Sequence, residues 1–200
     1  MKRENSLRDY DKAIELDPED VCAYDNRGNL KAELKDYNGA MLDYDKAIEL
    51  DPQFANPYYN RGVLKMQLED YEGALHDFDK AIELNHQDAD AYLNRGVIKK
   101  RLGDYEGAFR DYDKVIELDP EYAGSYDNRA ILKALLEDYE GALRDHNKAI
   151  ELSPDDKLCY ENRAEIFEKL AAIAKTDKEK KEYLEKAKAD KETARKNDLK

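Results

Sequence analysis

The sequence predicts an all-α fold, a solenoid of antiparallel helix pairs, from three motifs that each recur every 34 residues. Asp-Tyr-x-Gly-Ala begins at Asp36, Asp70, Asp104 and Asp138. Tyr-x-Asn-Arg begins at Tyr24, Tyr58, Tyr92, Tyr126 and Tyr160, and Lys-(Ala/Val)-Ile-Glu-Leu at Lys12, Lys46, Lys80, Lys114 and Lys148. Self-similarity at a fixed period marks an array in which each unit buries its apolar face against its neighbours. A chain with 40% charged and only 41% hydrophobic residues is thin for one central core but suits such local burial. The 15 tyrosines and the recurring Leu, Ile and Ala argue against disorder.

Each unit reads as two helices. Tyr58, Gly62, Leu64 and Leu68 fall close to one helical face, and after Glu69-Asp70 a second face is formed by Ala74, Leu75, Phe78, Ala81 and Ile82. Asp70 is placed to cap the second helix, while Pro18, Pro52, Pro120 and Pro154 stand just beyond that helix and stop it. One unit has His86 in place of the proline. Small residues recur where helices must approach closely: Gly28, Gly62, Gly96, Ala130 and Ala164 on the first helix, and Ala40, Ala74, Ala108 and Ala142 on the second.

Charge limits the partners. The formal net charge is -13, against the Lys/Arg excess that nucleic acid and anionic lipid require, so neither is an expected partner. Residues 175–200 carry ten Lys/Arg against seven Asp/Glu, a basic tail after an acidic body. No apolar run approaches membrane-spanning length. Cys22 and Cys159 are four repeats apart and no disulfide is expected; with no leader-like apolar segment, the expectation is a cytoplasmic protein.

Nothing points to catalysis. His76, His86 and His146 lack metal-ligand spacing with Cys or with one another, and there is neither a nucleophile elbow nor a glycine-rich phosphate loop. The expected reading is no enzyme, no metal and no cofactor. The conspicuous charges are structural in this reading. Arg27, Arg61, Arg95 and Arg129 precede the small residue of each first helix, and Asp43, Asp77, Asp111 and Asp145 follow sixteen residues later on the facing helix. The spacing predicts a ladder of partly buried ion pairs within the repeats.

The pattern resembles the tetratricopeptide repeat: an aromatic opening the first helix, Gly or Ala four residues later, Tyr before the second helix, Ala at the close contacts and a terminal Asp-Pro. The resemblance divides the chain into a second helix of a truncated repeat (1–20), four repeats (21–54, 55–88, 89–122 and 123–156) and a divergent repeat with a C-terminal capping helix (157–200). It implies a right-handed superhelix whose concave face, lined by the first helices, binds extended peptides. The matching positions are Asn26 and Asn29; Tyr59, Asn60 and Val63; Leu93, Asn94 and Val97; and Asn128, Ile131 and Leu135. These form an apolar band beside a row of amides suited to a peptide main chain.

The resemblance extends to the dicarboxylate clamp of chaperone adaptors only at Asn29 and Asn60. Asp25, Asp90 and Asn94 stand where that clamp has cations, so a basic or neutral-apolar protein or peptide segment is the expected partner, rather than an acidic tail. The alternative is a structural, self-assembling spacer acting through its ends. The chain enters mid-unit, so Leu7, Tyr10, Ala13 and Ile14 form an apolar end, which fits either a fragment of a longer array or a homodimer through that end.

Overall fold

The computed structural model describes residues 2–198, with side chains from residue 6. Among these residues the chain is all helix and turn: α1 (Lys2–Leu16), α2 (Val21–Glu33), α3 (Tyr37–Leu50), α4 (Ala55–Gln67), α5 (Tyr71–Leu84), α6 (Ala89–Arg101), α7 (Tyr105–Leu118), α8 (Ala123–Leu135), α9 (Tyr139–Leu152), α10 (Lys157–Ile173) and α11 (Asp177–Asn197). The chain divides within α6 into two compact units, one through Ile98 and one from Lys99.

The recurring Asp-Tyr-x-Gly is a helix start. Asp36, Asp70, Asp104 and Asp138 each accept a hydrogen bond from the backbone N–H of the glycine three residues on, satisfying a donor that the helix itself leaves open. The glycine is required by that contact, since a Cβ at Gly73 would stand 2.2 Å from Asp70 Oδ2. The residue before each cap turns the chain in the left-handed region: Lys35, Glu69 and Glu137 at φ of 64°, 63° and 64°, and Gly103 at 84°. At the other end, Asn85 Oδ1 accepts from Gln87 N at 3.1 Å as Asp51 Oδ1 does from Gln53 N at 2.9 Å. His86 therefore replaces proline without changing the turn.

In the first unit, α2 pairs with α3 and α4 with α5. Ala40, Tyr44 and Leu64 form one core cluster. Tyr58, Ala74, Phe78, Ala81, Ile82, Ala91 and Ile98 form another. In the second unit α8 pairs with α9 and α10 with α11, around Ala130, Ala134, Ala142 and Ile166. The C-terminal pair is fastened by a capping box at Thr176 and Glu179, by stacking of Phe167 on Tyr183 (centroids 6.3 Å apart) and by burial of Ala187 and Ala194.

Candidate functional site

Charged nodes built on the recurring arginine hold the hairpins together. Arg61 donates from Nε and Nη2 to Asp77 at 2.9 and 2.6 Å, and Lys65 Nζ reaches the same carboxylate at 2.8 Å. Arg27 binds Asp43 (2.9 and 2.7 Å) and Arg129 binds Asp145 (both 2.8 Å), with Lys31 and Lys133 completing those nodes. Lys99 Nζ lies 2.9 Å from buried Asp111. Burial pushes the carboxyls of Asp77 and Asp145 up, but the bonds from arginine and lysine outweigh it and hold both below the usual carboxylate range.

The third guanidinium nitrogen makes a second tie. Nη1 of Arg27, Arg61, Arg95 and Arg129 donates to Asp11, Asp45, Asp79 and Asp113, each on the helix that precedes the arginine's own. One arginine therefore ties its own hairpin shut and bonds the helix before it. Arg163 continues the scheme with Asn147 behind it and Asp190, 27 residues on, in front. Each of these five arginines also lies over the tyrosine three residues earlier, with Arg27 5.4 Å from the Tyr24 centroid. The charges in these nodes are answered from within the chain.

The positions expected to face a partner lie on α2, α4, α6 and α8, and two cavities collect part of them. In the first unit a cavity of about 630 Å³ brings together Asn29, Tyr59, Asn60 and Val63 and adds Tyr37 and Tyr44. In the second unit Ile131 and Leu135 share a cavity of about 200 Å³ with Asn162, Ile166 and His146. Asn26 is exposed, and Leu93, Asn94, Val97 and Asn128 are half-buried; none of these lines either cavity.

The amide row is engaged by the protein itself. Asn60 Nδ2 donates to buried Asp25 at 2.9 Å, Asn94 Nδ2 to the Tyr59 hydroxyl at 3.3 Å, and Asn128 Nδ2 to the Gly124 carbonyl at 2.9 Å. Asn29 Oδ1 accepts from the Tyr44 hydroxyl at 2.8 Å. Two of these bonds join successive hairpins across 35 residues, so the asparagines set the stacking of the first helices. Beside these amides, the first-unit cavity is lined by Tyr37, Tyr59, Val63 and Leu64 together with Glu33, Lys35 and Gln67.

No group of three His, Cys, Asp or Glu among the described residues could hold a metal ion. No helix there is long and apolar enough to cross a membrane.

Tandem hairpins whose second helices are capped by aspartate define an all-α repeat protein of the solenoid class. The TPR repeat model matches residues 28–68, and the tetratricopeptide repeat model matches residues 55–88 and 89–122. The chain belongs to the tetratricopeptide-repeat family. No curated protein matches it in sequence.

Among solved structures, YrrB, described as a TPR protein with an unusual peptide-binding site, is 24% identical, with a TM-score of 0.75 over 96% of this chain and 98% of its own. MamA from Desulfovibrio magneticus RS-1 is 18% identical, with a TM-score of 0.76 over 88% of this chain and 96% of its own. PilW, described as a type IV pilus biogenesis factor, is 19% identical, with a TM-score of 0.77 over 90% of this chain and 82% of its own. At these identities the likeness is one of fold.

Proposed function

We propose that this chain is a non-catalytic protein-interaction module that holds a segment of a partner protein against the first helices of its hairpins. The observation that carries the proposal is the cavity of about 630 Å³ in the first unit, walled by Tyr37, Tyr44, Tyr59 and Val63. A concavity with aromatic and aliphatic walls and a few fixed polar groups is the usual form of a binding site. Its size falls within the roughly 300–1,000 Å³ typical of such sites, so more than one side chain of a segment fits. The likeness to YrrB, whose description names a peptide-binding site, supports the same reading.

Electrostatics favours a basic or neutral-apolar segment. The net charge is -13 and Asp25 is buried on this face, while the cavity's own lining balances Glu33 with Lys35, so the bias comes from the chain as a whole. The same charge disfavours nucleic acid and anionic membranes. The two free thiols, Cys22 and Cys159, suit the reducing cytoplasm.

The test is affinity capture from native-cell extract with the wild type and a Tyr59→Ala/Val63→Asp variant. Titration follows with the segment of any partner that the variant loses. Anchors in a desolvated cavity contribute about 2 kcal/mol or more, so the variant should bind that segment about 30-fold more weakly. A variant that captures the same partners with unchanged affinity refutes the proposal.

A further inference from the structure

One position of the first helices carries a charge where its repeat equivalents carry none. At the period of 34 residues, Ala32, Met66, Lys100 and Ala134 correspond. Ala32 and Ala134 line the two cavities, and Met66 packs against the core of the first unit. The position is therefore built for an uncharged side chain, and the third repeat puts a lysine there.

That lysine is half-buried and has no hydrogen bond or ion pair among the described residues. Its neighbours differ. Lys99, on the same helix, is answered by Asp111 at 2.9 Å, and Arg129 and Lys133, on α8, by Asp145 at 2.8 and 2.6 Å. The charge that acts on Lys100 is Asp127 of α8, which does not reach it as an ion pair. Asp127 instead accepts from Asn162 Nδ2 at 3.2 and 3.3 Å and lies 3.0 Å from His146 Nδ1. Burial holds the Lys100 amine below the usual lysine range, and Asp127 offsets this only in part.

The nitrogen is reachable. Among the described residues, the side-chain nitrogens and oxygens that are both buried and without a hydrogen bond belong to Tyr112 and His146, so Lys100 Nζ keeps accessible surface. A half-desolvated amine without a counter-ion is the form of lysine that acts as a nucleophile.

We propose that Lys100 is a covalent modification site that captures small uncharged aldehydes as a Schiff base. The nitrogen lone pair attacks the aldehyde carbon, and a proton passes from nitrogen to the carbonyl oxygen. Loss of water from the resulting carbinolamine leaves the C=N bond. An uncharged electrophile suits the site, because Asp127 and a net charge of -13 repel anionic ones. The neutral imine removes a poorly hydrated charge, and its alkyl group enters a position that is apolar in the other repeats.

The test uses the wild-type chain with propanal and cyanoborohydride, which traps the imine as a secondary amine. Proteolysis and mass spectrometry read the initial labelling rate of each lysine between about pH 7 and 10, the approach to the ordinary lysine value. At the lower pH, Lys100 should be labelled at least about threefold faster than the exposed Lys12 and Lys175. The ratio should shrink as the pH rises and the other amines lose their protons, and in concentrated urea the lead should vanish. A Lys100 rate no greater than those of Lys12 and Lys175, a ratio independent of pH, or a lead that persists in urea would each overturn the proposal.

Discussion

Arg61 bonds two carboxylates that differ in burial and in the number of partners, and removing them should have unequal effects. Asp77 is 0% exposed and accepts from Arg61 Nε and Nη2 and from Lys65 Nζ, whereas Asp45 is 54% exposed and accepts only from Arg61 Nη1. The Asp77→Ala substitution strands two cations whose side chains are only 16% and 17% exposed. Breaking a buried pair in this way costs about 3–5 kcal/mol. The low end applies here, because Arg61 keeps Asp45 and both cations retain some water. Asp45→Ala removes a solvent-screened contact and should cost about 0–1 kcal/mol.

Urea unfolding followed by circular dichroism, with the slope against urea unchanged, gives both numbers. Replacing all three members of the node with apolar residues of similar size (Arg61→Met, Lys65→Met and Asp77→Leu) should cost less than Asp77→Ala alone. Equal losses for Asp77→Ala and Asp45→Ala would refute the assignment of the inner node as the stabilising one.

Other outcomes follow from packing, turn geometry and titration. Ala74 is fully buried at a helix crossing, so Ala74→Leu should overpack it and lower stability by about 1–3 kcal/mol in the same assay. Glu137 sits at φ 64°, and Glu137→Gly should stabilise by about 1 kcal/mol, seen as a higher urea midpoint. The depressed carboxyls of Asp77 and Asp145 contribute stability that is present above the unfolded value of about 3.9 and lost as the pH falls through their folded values. The urea midpoint should therefore fall steeply below about pH 4. Burial raises the Asp25 carboxyl, so that group works in the opposite direction, and Asp25→Asn should steepen the acid loss.

Much of the fold was legible because a strict period ties every local signal to the same place in each unit. The capping aspartates, the stopping prolines and the small residues at crossings act through backbone geometry that sequence spacing fixes directly. The front half of each arginine node was readable from the sixteen-residue interval to Asp43, Asp77 and Asp145. The rear half had an equal signal, since Asp11, Asp45, Asp79 and Asp113 stand sixteen residues before their arginines, but only a view of neighbouring hairpins shows why it matters.

The candidate site was legible only in part. Asn60 and Asn94 are on the expected face, yet spacing could not reveal that their amides turn sideways to Asp25 and Tyr59 instead of outward. His146 looked inert because its partner, Asp127, comes from another helix nineteen residues earlier, outside any local motif. Asp190 was out of reach for a related reason. The longer α10 displaces the last helix, so the carboxylate answering Arg163 no longer follows at the usual interval.

Chemical-shift mapping of a captured partner's segment on the isotopically labelled chain tests the partner-binding face most directly. Binding in the first-unit cavity predicts saturable shifts at Asn29, Tyr37, Tyr59 and Val63, with the outward carboxylates Asp45, Asp79 and Asp113 undisturbed. Saturable shifts confined to those carboxylates, or to α1 or α11, would contradict it and place recognition outside the cavity.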